Sequence, residues 1–109
     1  MFARILDFEV KAEKKEEFVK VLKSQVLPIL KKENGFLEIL PFFPETVKIE
    51  EKVVAISLWA TKPDAERYER ETYTKVYDIL KPFLHARVEV KHYVLETTVC
   101  EHFLGALAA

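Results

Sequence analysis

The stretch Val53–Tyr73, VVAISLWATKPDAERYERETY, decides the fold. Its first part, Val53 to Ala60, is an almost continuous apolar run that ends on the chain's only tryptophan, Trp59. Such a run is expected of a central strand covered on both faces. The pattern then changes at once. Thr61 can cap a helix, Pro63 suits the first turn, and Asp64 and Glu66 sit where the helix dipole favours negative charge. A break is expected near Thr72. Beyond it Tyr73, Val76, Tyr77, Leu80 and Leu84 make an apolar stripe that ends near Pro82.

Working outward, Phe36–Phe43 reads as a second strand. Pro41 and Pro44 confine it to a sheet edge, because neither can donate to a central ladder. A charged connection, Glu45 to Lys52, joins it to the central strand. Before it, Phe18, Val21, Leu22, Val26, Ile29 and Leu30 fall at helical spacing, so a helix is expected from about Lys14 to Glu33. Glu16 and Lys20 form an i,i+4 pair on its wet side, Pro28 should kink its last third, and Asn34-Gly35 supplies a left-handed stop. Phe2–Val10 reads as a first strand with apolar residues on both faces; Arg4 shares one face with Leu6 and Phe8. Ala86–Val99 alternates as a last strand, with Val88, Val90, His92 and Val94 on one side. The order β-α-β-β-α-β predicts an α+β, ferredoxin-like fold with a four-stranded antiparallel sheet whose edges are the second and fourth strands.

Composition is consistent with one such domain. A chain of 109 residues buries about two thirds of its unfolded surface. Half of its residues are apolar, so a core can form without metal or disulfides. The net charge of −1, with basic residues spread along the chain, argues against nucleic acid as a partner. No segment has the apolar length to span a bilayer, and the start MFARILDFEV does not read as a secretory signal. With Cys100 as the lone cysteine, a cytoplasmic protein is expected. Two glycines cannot build a phosphate-binding loop, and no serine-nucleophile or dinucleotide motif is present. Cys100 and His102 have C-x-H spacing but no second pair to complete a zinc site, so no metal is expected.

The segments FARILDFEVKAEKKEEFVKVL, VLPILKKENGFLEI and VVAISLWATKPDAERY, in this order and spacing, resemble the antibiotic biosynthesis monooxygenase (ABM) domain family of the dimeric α+β barrel proteins. The resemblance covers residues 1–98 and leaves 99–109 as a C-terminal tail, whose Phe103, Leu104 and Leu107 suit packing on a partner subunit. It implies a homodimer whose sheets close into a barrel, with a pocket between sheet and helices in each subunit. Some members of the family oxygenate aromatic compounds without metal or flavin, and others degrade haem, so the fold alone does not give the reaction.

The resemblance puts Trp59 at the pocket, either as a flat wall for an aromatic ligand or as a buried indole that caps the core. Ser57 shares its strand face and is the one hydrogen-bonding side chain there. Tyr68, Tyr73 and Tyr77 add rings and hydroxyls suited to a phenolic or quinonoid ligand, although rings at this spacing are usually core. Arg4, beside Leu6, could hold an enolate or carboxylate, or merely pack its stem and extend its head to water. His92 could shuttle a proton or be a satisfied core or interface histidine. Asp7 could be a base with a raised pKa, or be paired structurally. The run Glu66–Glu71 reads as a solvated face with pairs such as Glu66–Arg70. The haem-degrading branch carries a helix histidine and a first-strand asparagine; Tyr73, Val76 and Tyr77, and Arg4, Leu6 and Asp7, stand in those regions instead.

The expectation is therefore a cofactor-independent monooxygenase acting on a small aromatic or quinol-like molecule. Arg4 and His92 are its candidate catalytic residues, and Trp59, Ser57, Tyr68, Tyr73, Tyr77 and Leu6 are its candidate binding residues. The alternative is a non-catalytic dimeric ligand-binding or stress-response module of the same fold.

Overall fold

The computed structural model describes residues 1–46 and 50–100. Four strands, β1 (Phe2–Lys11), β2 (Phe36–Phe42), β3 (Glu50–Trp59) and β4 (Glu89–Val94), form one antiparallel sheet in the order β2-β3-β1-β4. The two proline-free strands of greatest apolar content therefore lie in the middle, and β2, which carries Pro41, lies at an edge. Helices α1 (Lys15–Val21), α2 (Leu27–Lys31), α3 (Lys62–Glu71) and α4 (Tyr73–Leu80) supply the buried side chains that meet one sheet face. The core lies between these layers and includes Phe8, Val10, Phe18, Val26, Val53 and Trp59. No described helix is long and apolar enough to cross a membrane.

The expected signals appear with specific geometry. Thr61 caps α3: its Oγ1 accepts from Asp64 N at 3.2 Å. Gly35 takes φ +83° after α2, and a Cβ at this position would collide with the Asp64 carboxylate. Gly35 O also accepts from Ala60 N at 2.7 Å, which ties the start of β2 to the end of β3.

Three details differ from the sequence expectation. The long helix is interrupted ahead of Pro28, by a π-helical turn over Leu22–Val26. Proline has no N–H to give the Ser24 carbonyl, so the ladder is redistributed in the preceding turn. Ser24 Oγ donates instead to Lys20 O at 2.8 Å. The last strand is shorter than Ala86–Val99, because a 3₁₀ turn at Thr97–Val99 follows Glu89–Val94. The pair Glu66–Arg70 is not formed among the described residues; among them, Arg67 of that run pairs with Asp64, and Glu69 meets both Arg4 and His92. The expected packing of Phe103, Leu104 and Leu107 lies outside the described residues.

Candidate functional site

The residues of β1 and β3 that face the helices alternate: Phe2, Arg4, Leu6 and Phe8 on one strand, Trp59, Ser57, Ala55 and Val53 on the other. Register places Arg4 directly opposite Ser57, and Leu6 opposite Ala55. A cavity lies between this patch and the helices. Arg4, Leu6, Ala55 and Ser57 form its sheet side. Leu22 and Val26 of the π turn, with Tyr68, Tyr73, Val76 and Leu80, form its helix side. The cavity has a volume of about 40 Å³ and opens to solvent at its mouth.

Arg4 is the centre of its chemistry. At 2 % exposure the guanidinium is buried, not extended to water as a strand-edge arginine would be. It lies 4.6 Å from the Tyr73 ring centroid and 5.1 Å from that of Tyr68, so both rings present π-density to it. Its Nε donates to Glu69 Oε1 on α3. Its Nη2 is buried and has no hydrogen-bond partner among the described residues. Leaving a charged N–H donor unpaired in the interior costs about 1–3 kcal/mol or more.

Glu69 Oε1 meets a second group, His92 Nε2 on β4. Burial alone would raise the Glu69 carboxyl, but the hydrogen bonds from His92 and Arg4 outweigh it and hold its pKa below the ordinary glutamate value. His92 does not enter the cavity. It is 45 % exposed, opposite Arg4 in the sheet, and its ring stacks on Phe2 at 5.9 Å. It is thus neither a core histidine nor within reach of a cavity ligand, and Glu69 connects it to Arg4.

Trp59 is fully buried and is not part of the cavity wall. Its indole stacks on Tyr68 at 4.9 Å and its Nε1 donates to Ser57 Oγ at 3.0 Å. It therefore fixes two cavity residues from behind. Because Ser57 accepts from Trp59, its own O–H remains available to donate. Tyr68 and Tyr73 line the cavity; Tyr77 packs behind Tyr73 at 6.3 Å and does not. Burial raises the pKa of Tyr68 and of Tyr73, against the opposing pull of the Arg4 charge, so both hydroxyls stay protonated at neutral pH. Asp7 points to the other sheet face and pairs with Lys91 at 3.2 Å. No group of three metal-ligating side chains occurs among the described residues.

The arrangement is that of a ferredoxin-like α+β domain with an apolar cavity and one buried, partly unpaired cation at its sheet side. Over residues 1–77 the sequence matches the family model described as antibiotic biosynthesis monooxygenase, and the chain belongs to that family. No curated protein matches the sequence. Among solved structures, a Nitrosomonas europaea protein assigned to antibiotic biosynthesis monooxygenases superposes with a TM-score of 0.68 at 16% identity, over 88% of this chain and 99% of that one. A monooxygenase from the ActVA-Orf6 gene of Streptomyces coelicolor, in complex with nanaomycin D, gives 0.67 at 14% identity, over 87% of each chain. The haem-degrader MhuD of Mycobacterium tuberculosis, with two haems bound, gives 0.66 at 15% identity, over 88% of this chain and 96% of that one. At such identities the likeness speaks for the fold.

Proposed function

We propose that the chain is a cofactor-independent monooxygenase that oxidises a small aromatic or quinol-like substrate in this cavity. The observation that carries the reading is Arg4: a buried cation with an unpartnered Nη2, lining an otherwise apolar cavity in a chain of this family. The ring of a phenol would lie against Leu6, Val26 and Leu80, with its oxygen towards Arg4 and Ser57. As the phenolate gives up electron density to oxygen, Arg4 and the Ser57 hydroxyl would hold the negative charge, and the apolar walls would exclude water. One oxygen atom bonds to the ring carbon. The other leaves as water with the C–H and O–H hydrogens of the substrate. All four electrons come from the substrate, so no separate reductant is consumed.

Among the described residues no carboxylate or imidazole lines the cavity, so the reading takes a substrate that arrives ionised or loses its proton to solvent at the mouth. Haem fits less well, because no histidine stands among the lining residues. We also propose a homodimer formed through the second sheet face. There Ile5, Ile56 and Leu40 lie in register, Val54 pairs with Phe42, which is 54% exposed, and Tyr93 is 52% exposed.

The test is oxygen consumption with a panel of quinols and hydroxyanthrone-like phenols. The expected result is saturable uptake with one labelled oxygen atom per product, lost in Arg4→Met. Saturable binding without uptake would replace the oxygenase reading with a ligand-binding module.

A further inference from the structure

The cavity at Arg4 is too small, as it stands, for the ring that the proposed reaction places there. Its volume is about 40 Å³, room for a few water molecules. An apolar cavity that admits benzene has about 150 Å³. A second cavity adjoins it. This cleft lies between the π turn and β2 and has a volume of about 140 Å³. Its surface is carbon alone, with Lys23 contributing only its stem. Leu22, Val26, Ile39 and Pro41 line both spaces, so these four side chains form the partition; Val19, Leu27 and Phe43 line the cleft alone.

We propose that this cleft is a second ligand subsite. It takes an apolar substituent, of about one ring's bulk, on an aromatic ligand whose oxygen lies at Arg4, and the ligand joins the two spaces by parting Leu22 and Val26 from Ile39 and Pro41. The inference rests on reading the Arg4 cavity as the ligand site, and it narrows the ligand from a single ring to a longer molecule with a polar head and an apolar arm. Three observations support it. The first is where the wall is weakest. Its sheet side and its α3 side are held by specific contacts: Arg4 to Glu69, Trp59 to Ser57, and the stack of Trp59 on Tyr68. No hydrogen bond or ion pair joins Leu22–Val26 to Ile39–Phe43 among the described residues. Dispersion contacts alone hold that seam, and the apolar surface of a ligand can replace them. The second is what stands on either side of it. Leu22 and Val26 belong to the π turn, a departure from α-helical bonding that recurs at functional sites. Ile39 and Pro41 belong to an edge strand, which is hydrogen-bonded to β3 on one side only. The third is the division of chemistry. Arg4, Ser57, Tyr68 and Tyr73 are all on the cavity side, and the cleft presents no polar atom, so a ligand with oxygen at one end and hydrocarbon at the other matches the pair in one orientation. Register puts Ile39 and Pro41 opposite Ser57 and Ala55, on the helix side, so the sheet face proposed for the homodimer does not cover the cleft.

Phenol, 3-phenylphenol and 4-phenylphenol provide the probes, titrated into the full chain by calorimetry at neutral pH. The better of the two phenylphenols should bind at least about tenfold more tightly than phenol. Two variants then separate the cleft from general hydrophobic binding. Val19→Phe fills the cleft, and Leu27→Glu puts a carboxylate into it; each should bring the ratio down to about threefold or less. Both side chains are partly exposed, and a far-UV circular dichroism spectrum like that of the wild type shows each variant folded. A wild-type ratio near one would mean that the cleft is closed to ligand or filled by another part of the chain, and would overturn the proposal. So would a tenfold ratio that survives in either folded variant. Binding of none of the three probes would refute the ligand site and the subsite with it. Oxygen uptake is a separate readout. Cleft-dependent binding without uptake leaves the subsite standing, whereas uptake with the same KM for phenol and both phenylphenols refutes the subsite alone.

Discussion

Removing Arg4 should cost the fold little, and removing the charge of its partner should cost it more. Arg4→Met keeps the side-chain volume within the core. It gives up the hydrogen bond to Glu69, worth about 1 kcal/mol because that carboxylate is 29% exposed and solvent-screened. It also gives up the two ring contacts, each worth about 0.5–1 kcal/mol. Against this, it ends the desolvation of a cation and the unpartnered Nη2, a penalty of about 1–3 kcal/mol for the orphaned donor alone. Glu69 is not stranded, because it retains His92 and access to water. Arg4→Met should therefore unfold within about 1 kcal/mol of wild type, or above it. Glu69→Gln has the opposite character: it leaves the guanidinium buried without a compensating charge, at about 2–4 kcal/mol. Urea unfolding of the two variants at neutral pH measures both free energies. A larger loss in Arg4→Met than in Glu69→Gln would refute the reasoning. It would mean that Arg4 serves the fold and not a ligand.

Further outcomes follow from the same contacts. Ser57→Ala leaves the buried Trp59 N–H without its acceptor and should lower stability by about 1–3 kcal/mol, read by denaturation under Trp59 fluorescence. Gly35→Ala places a Cβ at positive φ against the Asp64 side chain and should cost more than about 1 kcal/mol, lowering Tm by several degrees in a thermal scan. Glu69 has a folded-state pKa below its unfolded value, so its contribution is present above the unfolded pKa of 4.5 and is lost as pH falls through the folded one. Stability measured against pH should therefore fall on the acid side less steeply in Glu69→Gln than in wild type.

The fold was legible because its signals are local. The apolar run at Val53–Ala60, the Thr61 cap, Pro41 in an edge strand and the glycine at the helix end each impose a backbone consequence that no distant residue can cancel. The π turn was not legible, since proline forbids one hydrogen bond without specifying where the helix will absorb the loss. The site was legible only by halves. Alternation placed Arg4 on the same strand face as Leu6, but whether a strand arginine reaches water depends on what covers it, and α3 and α4 cover it here with Tyr68 and Tyr73. Glu69 was missed because it sits within a run of alternating charges that reads as a wet helix surface. One signal pointed inward: Glu69 lies four residues after the buried Ala65 and four before Tyr73, on the stripe that meets the sheet. A carboxylate on that stripe needs a cation from the sheet, and Arg4 is the one on the facing side of β1. The pairing of a buried arginine with an inward glutamate follows from patterning and charge balance taken together. What neither supplies is the spare Nη2: Glu69 gives Oε1 to Arg4 Nε and meets His92 with the same atom, and Nη2 finds no acceptor among the described residues. That arrangement leaves a place for a third partner, and so points from the fold to a ligand.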